Sequence, residues 1–247
     1  MRLHGILLAM LDSPPELTEE FNRWYDLDHL AEHVSKPDVV SARRYVAPRD
    51  LHGLGTVTGD LVATHTPYLT VYAHGTSDFD SEATWAGWLE KDRGIIKQGR
   101  FFRVGGSPLT ASWRFEGAWA RAGCHVSEEA IPYLAHRGVI VAIGRPPTPA
   151  QRADALRWWD DVHLPDLLAV EGVLAALRFA PARGTDEDLI LHLLLLEADP
   201  EVAMERIDGV VRYDSAIGRF PPHRGVYEPL VFLPYRSIVP LEYDFEF

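Results

Sequence analysis

The stretch RWYDLDHL, Arg23 to Leu30, recurs far downstream as RWWDDVHL, Arg157 to Leu164. At a constant offset of 134 residues, the two copies and the segments that follow them share eight identities in 23 aligned positions. The triplet GRF begins at Gly99 and again at Gly218, an offset of 119, so the first half holds 15 additional residues between the two matches. A repeat of this size exceeds a solenoid unit and predicts the duplication of a whole domain.

The additional residues fall in PRDLHGLGTVTGDLVATHTP, residues 48–67, which aligns with the short PARGTDED, residues 181–188. Long loops in compact domains are usually functional or disordered. Gly53, Gly55 and Gly59 favour a mobile lid over a pocket in the first half. A tolerated surface excursion is the alternative.

Each half contains the same succession of predicted elements. LHGILLAML and GVIVAIG are short apolar runs that predict buried strands, and a segment with apolar residues at helical spacing follows each of them. Two further strands, a second helix closed by a glycine and a fourth strand complete both halves. The order β-α-β-β-α-β is that of the ferredoxin-like unit, an antiparallel sheet with both helices on one face.

We therefore predict an α+β fold made of two ferredoxin-like repeats, residues 1–123 and 137–247, with a linker over residues 124–136. The face of each sheet that carries no helices is apolar and must be covered. Two such sheets packed against each other in one chain would form a pseudo-twofold α/β barrel, in which each sheet covers the other.

Composition limits the function classes. The 247 residues are 47% hydrophobic and 24% charged, as in an ordinary globular protein, and the net charge of -12 argues against nucleic acid or an anionic membrane as partner. No stretch approaches the roughly 18 apolar residues of a membrane span. The single cysteine, Cys124, excludes an intrachain disulfide and fits a reducing compartment, so we predict a cytoplasmic protein. The aromatic and acidic tail LEYDFEF, residues 241–247, could dock on another subunit, so a monomer and a homodimer are both open.

The repeated motif resembles that of a known superfamily. A helix with W-Y/W-D-x-x-H-L, then a strand ending A-x-R-x-Y/F, looks like the dimeric α/β-barrel superfamily, nearest to its EthD-like and related uncharacterised members. The resemblance implies a pocket between helices and sheet in each half. It also implies an activity drawn from cofactor-free monooxygenases of aromatic polyketides, muconolactone isomerases, and haem-containing dehydratases and peroxidases.

The first copy of the motif offers candidate catalytic residues. Tyr25, His29 and His33 follow one another at intervals of four on one helix face, with Asp28 and Glu32 beside them. An imidazole next to a carboxylate is suited to general acid–base work at a carbonyl or enol. Because His163 repeats His29, a packing role for this histidine is equally open.

The first half also differs from the second in ways that favour it as the site. Asp28, Glu32 and His33 are matched by Val162, Asp166 and Leu167, and the second half looks like a supporting scaffold. We predict that five further residues bind the substrate: Tyr72, His65, His52, Trp24 and Arg44.

No metal or cofactor signature is complete in the sequence. His29, His33, His52, His65 and His74 could gather around a metal ion with Glu32, and the resemblance leaves haem on His29 or His163 open. We nevertheless predict that the protein uses no cofactor and no metal. Ion pairing within the fold is the commoner explanation for Arg44 and its copy Arg178, and an inert thiol is expected for Cys124.

The sequence thus predicts a cofactor-independent enzyme of small-molecule metabolism, a lyase or isomerase. It would isomerise, dehydrate or cyclise a hydrophobic or aromatic carbonyl compound. His29 would be the acid or base, Asp28 or Glu32 its orienting group, and Tyr25 and Tyr72 donors to an enolate. A cofactor-free monooxygenase of polyketide-like substrates and a non-catalytic ligand-binding protein are the alternatives.

Overall fold

The computed structural model describes residues 2–62, 66–102, 105–219 and 225–247. The first half contains five strands and three helices in these residues: β1 (Gly5–Asp12), α1 (Thr18–Trp24), α2 (Leu30–Val34), β2 (Val39–Val46), β3 (Thr56–Val57), β4 (Tyr68–His74), α3 (Glu82–Lys97) and β5 (Gly106–Ala120). The second half contains β6 (Gly138–Arg145), α4 (Arg152–Trp158), α5 (Leu164–Ala169), β7 (Val173–Arg183), β8 (Ile190–Leu196), α6 (Pro200–Ala216) and β9 (Glu228–Ser237). Short 3-10 helices are formed by Pro15–Leu17, Arg49–Leu51, Glu128–Tyr133 and Pro149–Gln151.

The repeated motif adopts the same unusual backbone in both halves. Tyr25–His29 and Trp159–His163 are π-helical turns, each of which joins the helix before it to the helix after it without a break. Such wide turns are rare and are frequent at functional sites. Since both halves contain one, the turn is a property of this fold, and it carries Tyr25 and His29 together.

The chain has an α+β architecture, as predicted, and its strands form one large antiparallel sheet instead of two separate ones. The strands are ordered β2-β4-β1-β5-β7-β8-β6-β9-β3, and β2 also pairs with β9, through Tyr45 with Ser237 and Val46 with Arg236. That extra pairing joins β2, at one end of the order, to β9, the last strand but one at the other end. Apart from β3, each half contributes four strands and the elements recur in one order.

Alternation along the strands separates two cores. In β1, the side chains of Ile6, Leu8 and Met10 join one hydrophobic cluster that also contains Val139 and Val141 of β6. Leu7 faces the other side, where the helices lie. The central cluster is therefore shared by the two halves, while each half packs its own helices on the opposite face.

Two segments cross from one half to the other. The insert forms β3, which pairs with β9 through Thr56 with Phe232 and Val57 with Val231. The C-terminal tail packs Phe245 against the first half. The tail that we considered for a subunit contact thus covers its own chain. No helix in the described part of the chain is long and apolar enough to cross a membrane.

Candidate functional site

A cavity of about 300 Å³ lies between α3, the helix-facing side of β1 and the continuous helix formed by α1, the π-helical turn and α2, which we call the motif helix. We call it the first-half pocket. Its volume is at the lower end of the range for small-molecule sites. Hydrophobic and aromatic side chains form most of its wall. Five residues with polar groups gather among those that line it: Tyr25, His29, His33, Tyr72 and Asp92.

Two tyrosine hydroxyls meet in the wall of this pocket. The hydroxyl oxygens of Tyr25, on the π-helical turn, and Tyr72, on β4, are 3.1 Å apart, and the residues are 3% and 2% exposed. Burial raises the pKa of both phenols, so each keeps its proton at neutral pH. One hydroxyl donates to the other, which leaves the second O–H able to donate to a ligand.

A buried ion pair supports Tyr25 from behind. The Arg44 guanidinium lies 4.2 Å from the centre of the Tyr25 ring and donates to Asp26 Oδ1 at 2.7 Å and to Asn22 Oδ1 at 2.6 Å. The side chains of Arg44 and Asp26 are only 2% and 5% exposed. Arg44, which we predicted to bind substrate, is therefore held within the fold. Its positive charge lies behind the Tyr25 ring, which separates it from the pocket.

His29 borders the pocket inside a ring of aromatic groups. Its imidazole centre is 4.8 Å from Trp24, 4.8 Å from Tyr25 and 4.5 Å from His33. Burial, and then the neighbouring His33, lower the pKa of His29 to about 4. The imidazole is consequently neutral at pH 7. Its Nδ1 atom is buried without a hydrogen-bond partner among the described residues.

His33 is paired with a residue that the sequence did not bring forward, Asp92 of α3. His33 Nε2 lies 3.1 Å from Asp92 Oδ1, and the His33 ring stacks on Trp88 at 4.5 Å and 7°. Extending the offset of 119 along the second helices would have matched Trp88 with Ile207 and Asp92 with Val211. The replacement of a carboxylate by an aliphatic side chain at this matched position is the sequence signal that could have identified Asp92.

The two carboxylates predicted to orient His29 lie elsewhere. Asp28 receives two hydrogen bonds from Arg100, at 2.7 and 3.0 Å, and Glu32 lies 3.3 Å from both Arg100 and Lys91. Neither carboxylate lines the first-half pocket. Residues 28 and 32 lie on the side of the helix that Arg100 approaches, and the carboxylate next to the histidines is that of Asp92 instead.

The remaining predicted binding residues are divided. Trp24 and Tyr72 line the first-half pocket. His52 lies beside the carbonyl of Ala47, with Nε2 3.0 Å from that oxygen, and lines a different cavity. His65 lies outside the described residues. His74, considered for a metal, instead pairs with Asp38 at 2.9 Å.

A second cavity of about 280 Å³ occupies the related place in the second half. We call it the second-half pocket. Trp159, His163 and Leu167 line it where the first-half pocket has Tyr25, His29 and His33, and Val211 replaces Asp92. Leu54 and Thr56 of the insert also line this pocket. The insert thus approaches the second-half pocket, whereas we expected a lid over the first.

Comparison with known proteins establishes the fold. No protein-family profile and no curated protein sequence match the chain. Among solved structures, an anthrone oxidase-like protein is similar over 97% of this chain and 92% of its own, with 15% identity and a TM-score of 0.56. A mutant chlorite dismutase from Candidatus Nitrospira defluvii matches over 97% and 93%, with 12% identity and a TM-score of 0.52. A protein provisionally named a monooxygenase, from Lactobacillus acidophilus, matches over 96% and 99%, with 8% identity and a TM-score of 0.50.

These neighbours show that the chain has a ferredoxin-like fold with a large antiparallel sheet. The closer kinship to EthD-like proteins is not confirmed and stays a prediction. The prediction that no cofactor is used is contradicted, because the neighbours include chlorite dismutases, which are haem-dependent. Cofactor independence therefore cannot be inferred from this fold.

Haem itself does not fit the residues present. The described lining of the first-half pocket includes Asp12 and Asp92, and that of the second-half pocket includes Asp208, while neither lining contains a lysine or arginine to pair with the haem carboxylates. Aromatic rings also crowd His29 and His163, the latter being stacked on Trp158 at 4.7 Å. A single metal ion is compatible with the first-half pocket, since the possible ligand atoms of His29, His33 and Asp92 lie within 4.8 Å of one another.

Proposed function

We propose that the chain is an enzyme of small-molecule metabolism that acts on a hydrophobic or aromatic carbonyl compound in the first-half pocket. The observation that carries this proposal is the contrast between the two pockets. Tyr25, His33 and Asp92 occupy places where the second-half pocket has an indole and two aliphatic side chains. Both pockets keep their volume and both contain hydroxyl, imidazole and carboxylate groups, but among the described residues the Tyr25–Tyr72 hydroxyl pair and the His33–Asp92 pair line the first-half pocket alone.

The proposed chemistry is proton transfer beside the carbonyl group. The Tyr25 and Tyr72 hydroxyls are suited to donate a hydrogen bond to the oxygen, which becomes negative as the proton leaves the neighbouring carbon. The positive charge of Arg44 behind Tyr25 favours the same negative oxygen. His29 lies next to Tyr25 and is the imidazole best placed to receive the proton.

The fate of the enolate distinguishes three reactions. Return of the proton at another carbon gives isomerisation, loss of a hydroxyl group gives dehydration, and attack on a second carbonyl in the same molecule gives cyclisation. All three belong to lyase or isomerase chemistry and require the same donor and acceptor in the pocket. We propose this group of reactions for the first-half pocket.

The repeated architecture is part of the proposal. We propose that the two halves are duplicated ferredoxin-like repeats, residues 1–123 and 137–247, whose sheets form a pseudo-twofold barrel. The recurrence of the π-helical turn, the shared central cluster and the pairing of β2 with β9 support this interpretation. In such a pair, one copy can keep the chemistry while the other conserves only the packing.

Oxygenation is the second candidate, and the structural neighbours favour it. One neighbour is anthrone oxidase-like and another is provisionally named a monooxygenase. Removal of a proton from an electron-rich aromatic ketone gives a carbanion that can react with dioxygen, so the first step would be the same. Consumption of dioxygen separates this candidate from the isomerase and lyase reactions.

A panel of hydroxylated anthrones, aryl ketones and enones tests the function. Each compound is incubated with the purified chain, while absorbance and dissolved oxygen are recorded together. We expect turnover of at least one compound, and a decrease in rate of roughly 100-fold or more for His29→Gln, the usual range for loss of an acid–base group. His163→Gln is the matched control and should retain the wild-type rate. Equal rates for His29→Gln and wild type would contradict the proposal.

A further inference from the structure

We propose that His29, His33 and Asp92 bind one divalent transition-metal ion at the polar end of the first-half pocket. The inference rests on the proposed function for its choice of active pocket and refines one step of it. The ion would be held by these three side chains and would supply Lewis-acid and base chemistry at the substrate carbonyl, with His29 as a ligand instead of a free base.

The three side chains converge from two helices. His29 and His33 are four residues apart on the motif helix, with ring centres separated by 4.5 Å, and Asp92 reaches them from α3. Ligand bonds of 2.0–2.2 Å put adjacent ligand atoms about 3 Å apart. His33 Nε2 and Asp92 Oδ1 already have that spacing, at 3.1 Å. The ligand atoms of all three residues lie within 4.8 Å of one another. The His29 side chain therefore needs to move only slightly to reach an ion bound by the other two.

Unsatisfied polar atoms provide an independent indication of a ligand. The Asp92 side chain is 35% exposed, but its Oδ1 atom is buried and accepts no well-aligned hydrogen bond from any described residue, although His33 Nε2 lies 3.1 Å from it. His33 is 1% exposed, and a ring nitrogen of His29 is likewise buried without a partner. A buried polar atom that is left without a partner is energetically unfavourable. An ion between these groups would satisfy the carboxylate oxygen and one nitrogen of each imidazole.

The second half lacks this ligand set. There His163 corresponds to His29, while Leu167 and Val211 stand in place of His33 and Asp92. The packing role of the motif therefore requires only the first histidine. The two additional ligands occur only in the pocket to which we assign the chemistry.

The ligand types define the class of ion. Two imidazoles and one carboxylate suit zinc, iron(II), cobalt(II) or manganese(II), whereas magnesium and calcium prefer oxygen ligands alone. Three protein ligands leave coordination positions open toward the cavity, as in catalytic metal sites. There the ion would polarise the carbonyl oxygen of a substrate as a Lewis acid.

Cobalt(II) titration tests the site without a substrate. Tag-free protein is stripped with a chelator and titrated with cobalt(II), and visible d–d absorption reports binding. His33→Leu and Asp92→Val install the residues that the second half already contains, and His163→Gln serves as the control. We expect the wild type and the control to bind one ion per chain. Both test variants should lose more affinity than the roughly 10–100-fold that follows when a residue hydrogen-bonded to a metal ligand is removed.

Several outcomes would overturn the inference. Absence of cobalt absorption in the wild type, or binding of one ion with wild-type affinity by either folded test variant, would do so. Thermal melting in chelator shows which variants are folded, and the two variants are independent of each other. Turnover of the compound panel without metal uptake refutes the metal site alone, while metal uptake with no turnover of any compound refutes the proposed function alone.

Discussion

Replacement of Asp26 by asparagine should destabilise the protein far more than the same change at its repeat partner, Asp160. In the first half, Asp26 pairs with Arg44 at 2.7 Å, with side chains 5% and 2% exposed. In the second half, Asp160 pairs with Arg178, with side chains 37% and 13% exposed. Arg178 also lies 3.2 Å from Glu116, so it keeps a partner when Asp160 is neutralised.

The expected magnitudes follow from burial. Removing one partner of a buried pair leaves an uncompensated charge and costs about 3–5 kcal/mol, whereas exposed pairs contribute about 0–1 kcal/mol. An asparagine at position 26 still offers an oxygen to Arg44, and Asn22 still accepts from it at 2.6 Å. We therefore expect a loss of about 3 kcal/mol in the free energy of unfolding for Asp26→Asn and less than about 1 kcal/mol for Asp160→Asn.

Urea denaturation of both variants measures these values directly. Tyr243 donates to Asp26 Oδ2 at 2.5 Å, so Tyr243→Phe is measured as well and should cost about 1 kcal/mol. The m-value should stay constant across the set if only the folded state has changed. Losses for Asp26→Asn and Asp160→Asn that agree within 1 kcal/mol would refute the argument, because the two ion pairs would then experience equal solvation.

Further predictions concern a buried histidine and two glycines. Burial lowers the pKa of His136 from 6.5 to about 4, so the unfolded chain binds a proton more tightly than the folded chain does. The contribution of this group to the free energy of unfolding is therefore complete above pH 6.5, and it falls by up to about 3 kcal/mol as the pH decreases toward 4. His136→Gln should flatten that decline in pH-dependent urea melts, although it weakens the 2.8 Å contact with the Tyr45 hydroxyl; an unchanged pH profile would contradict the assignment. An added Cβ at Gly144 would lie 2.3 Å from the Tyr227 ring, so Gly144→Ala should lose at least about 1–3 kcal/mol. Gly209, on α6, has open space around its Cα, and Gly209→Ala should gain about 0.5–1 kcal/mol in the same assay; equal effects at the two glycines would be inconsistent with the packing.

Much of the candidate site could be predicted because it lies on one helix. The spacing of Tyr25, His29 and His33 depends only on local backbone geometry, which the motif specifies in both copies. Asp92 is 59 residues from His33 in the sequence, and no local pattern relates them. Asp28 was adjacent to His29 in the sequence, yet it pairs with Arg100 because the helix turns it away from the pocket.

The sequence by itself determined the order of elements, the recurrence of one motif and the burial of strands that are short apolar runs. These features depend on short-range periodicity and on the recurrence of one motif, both of which are visible along the chain. Only the tertiary structure decided that α3 sets Asp92 against His33, that β2 meets β9, and that the insert reaches the second-half pocket. Such contacts result from the joint packing of strands and helices distant in the chain, and no single segment encodes them.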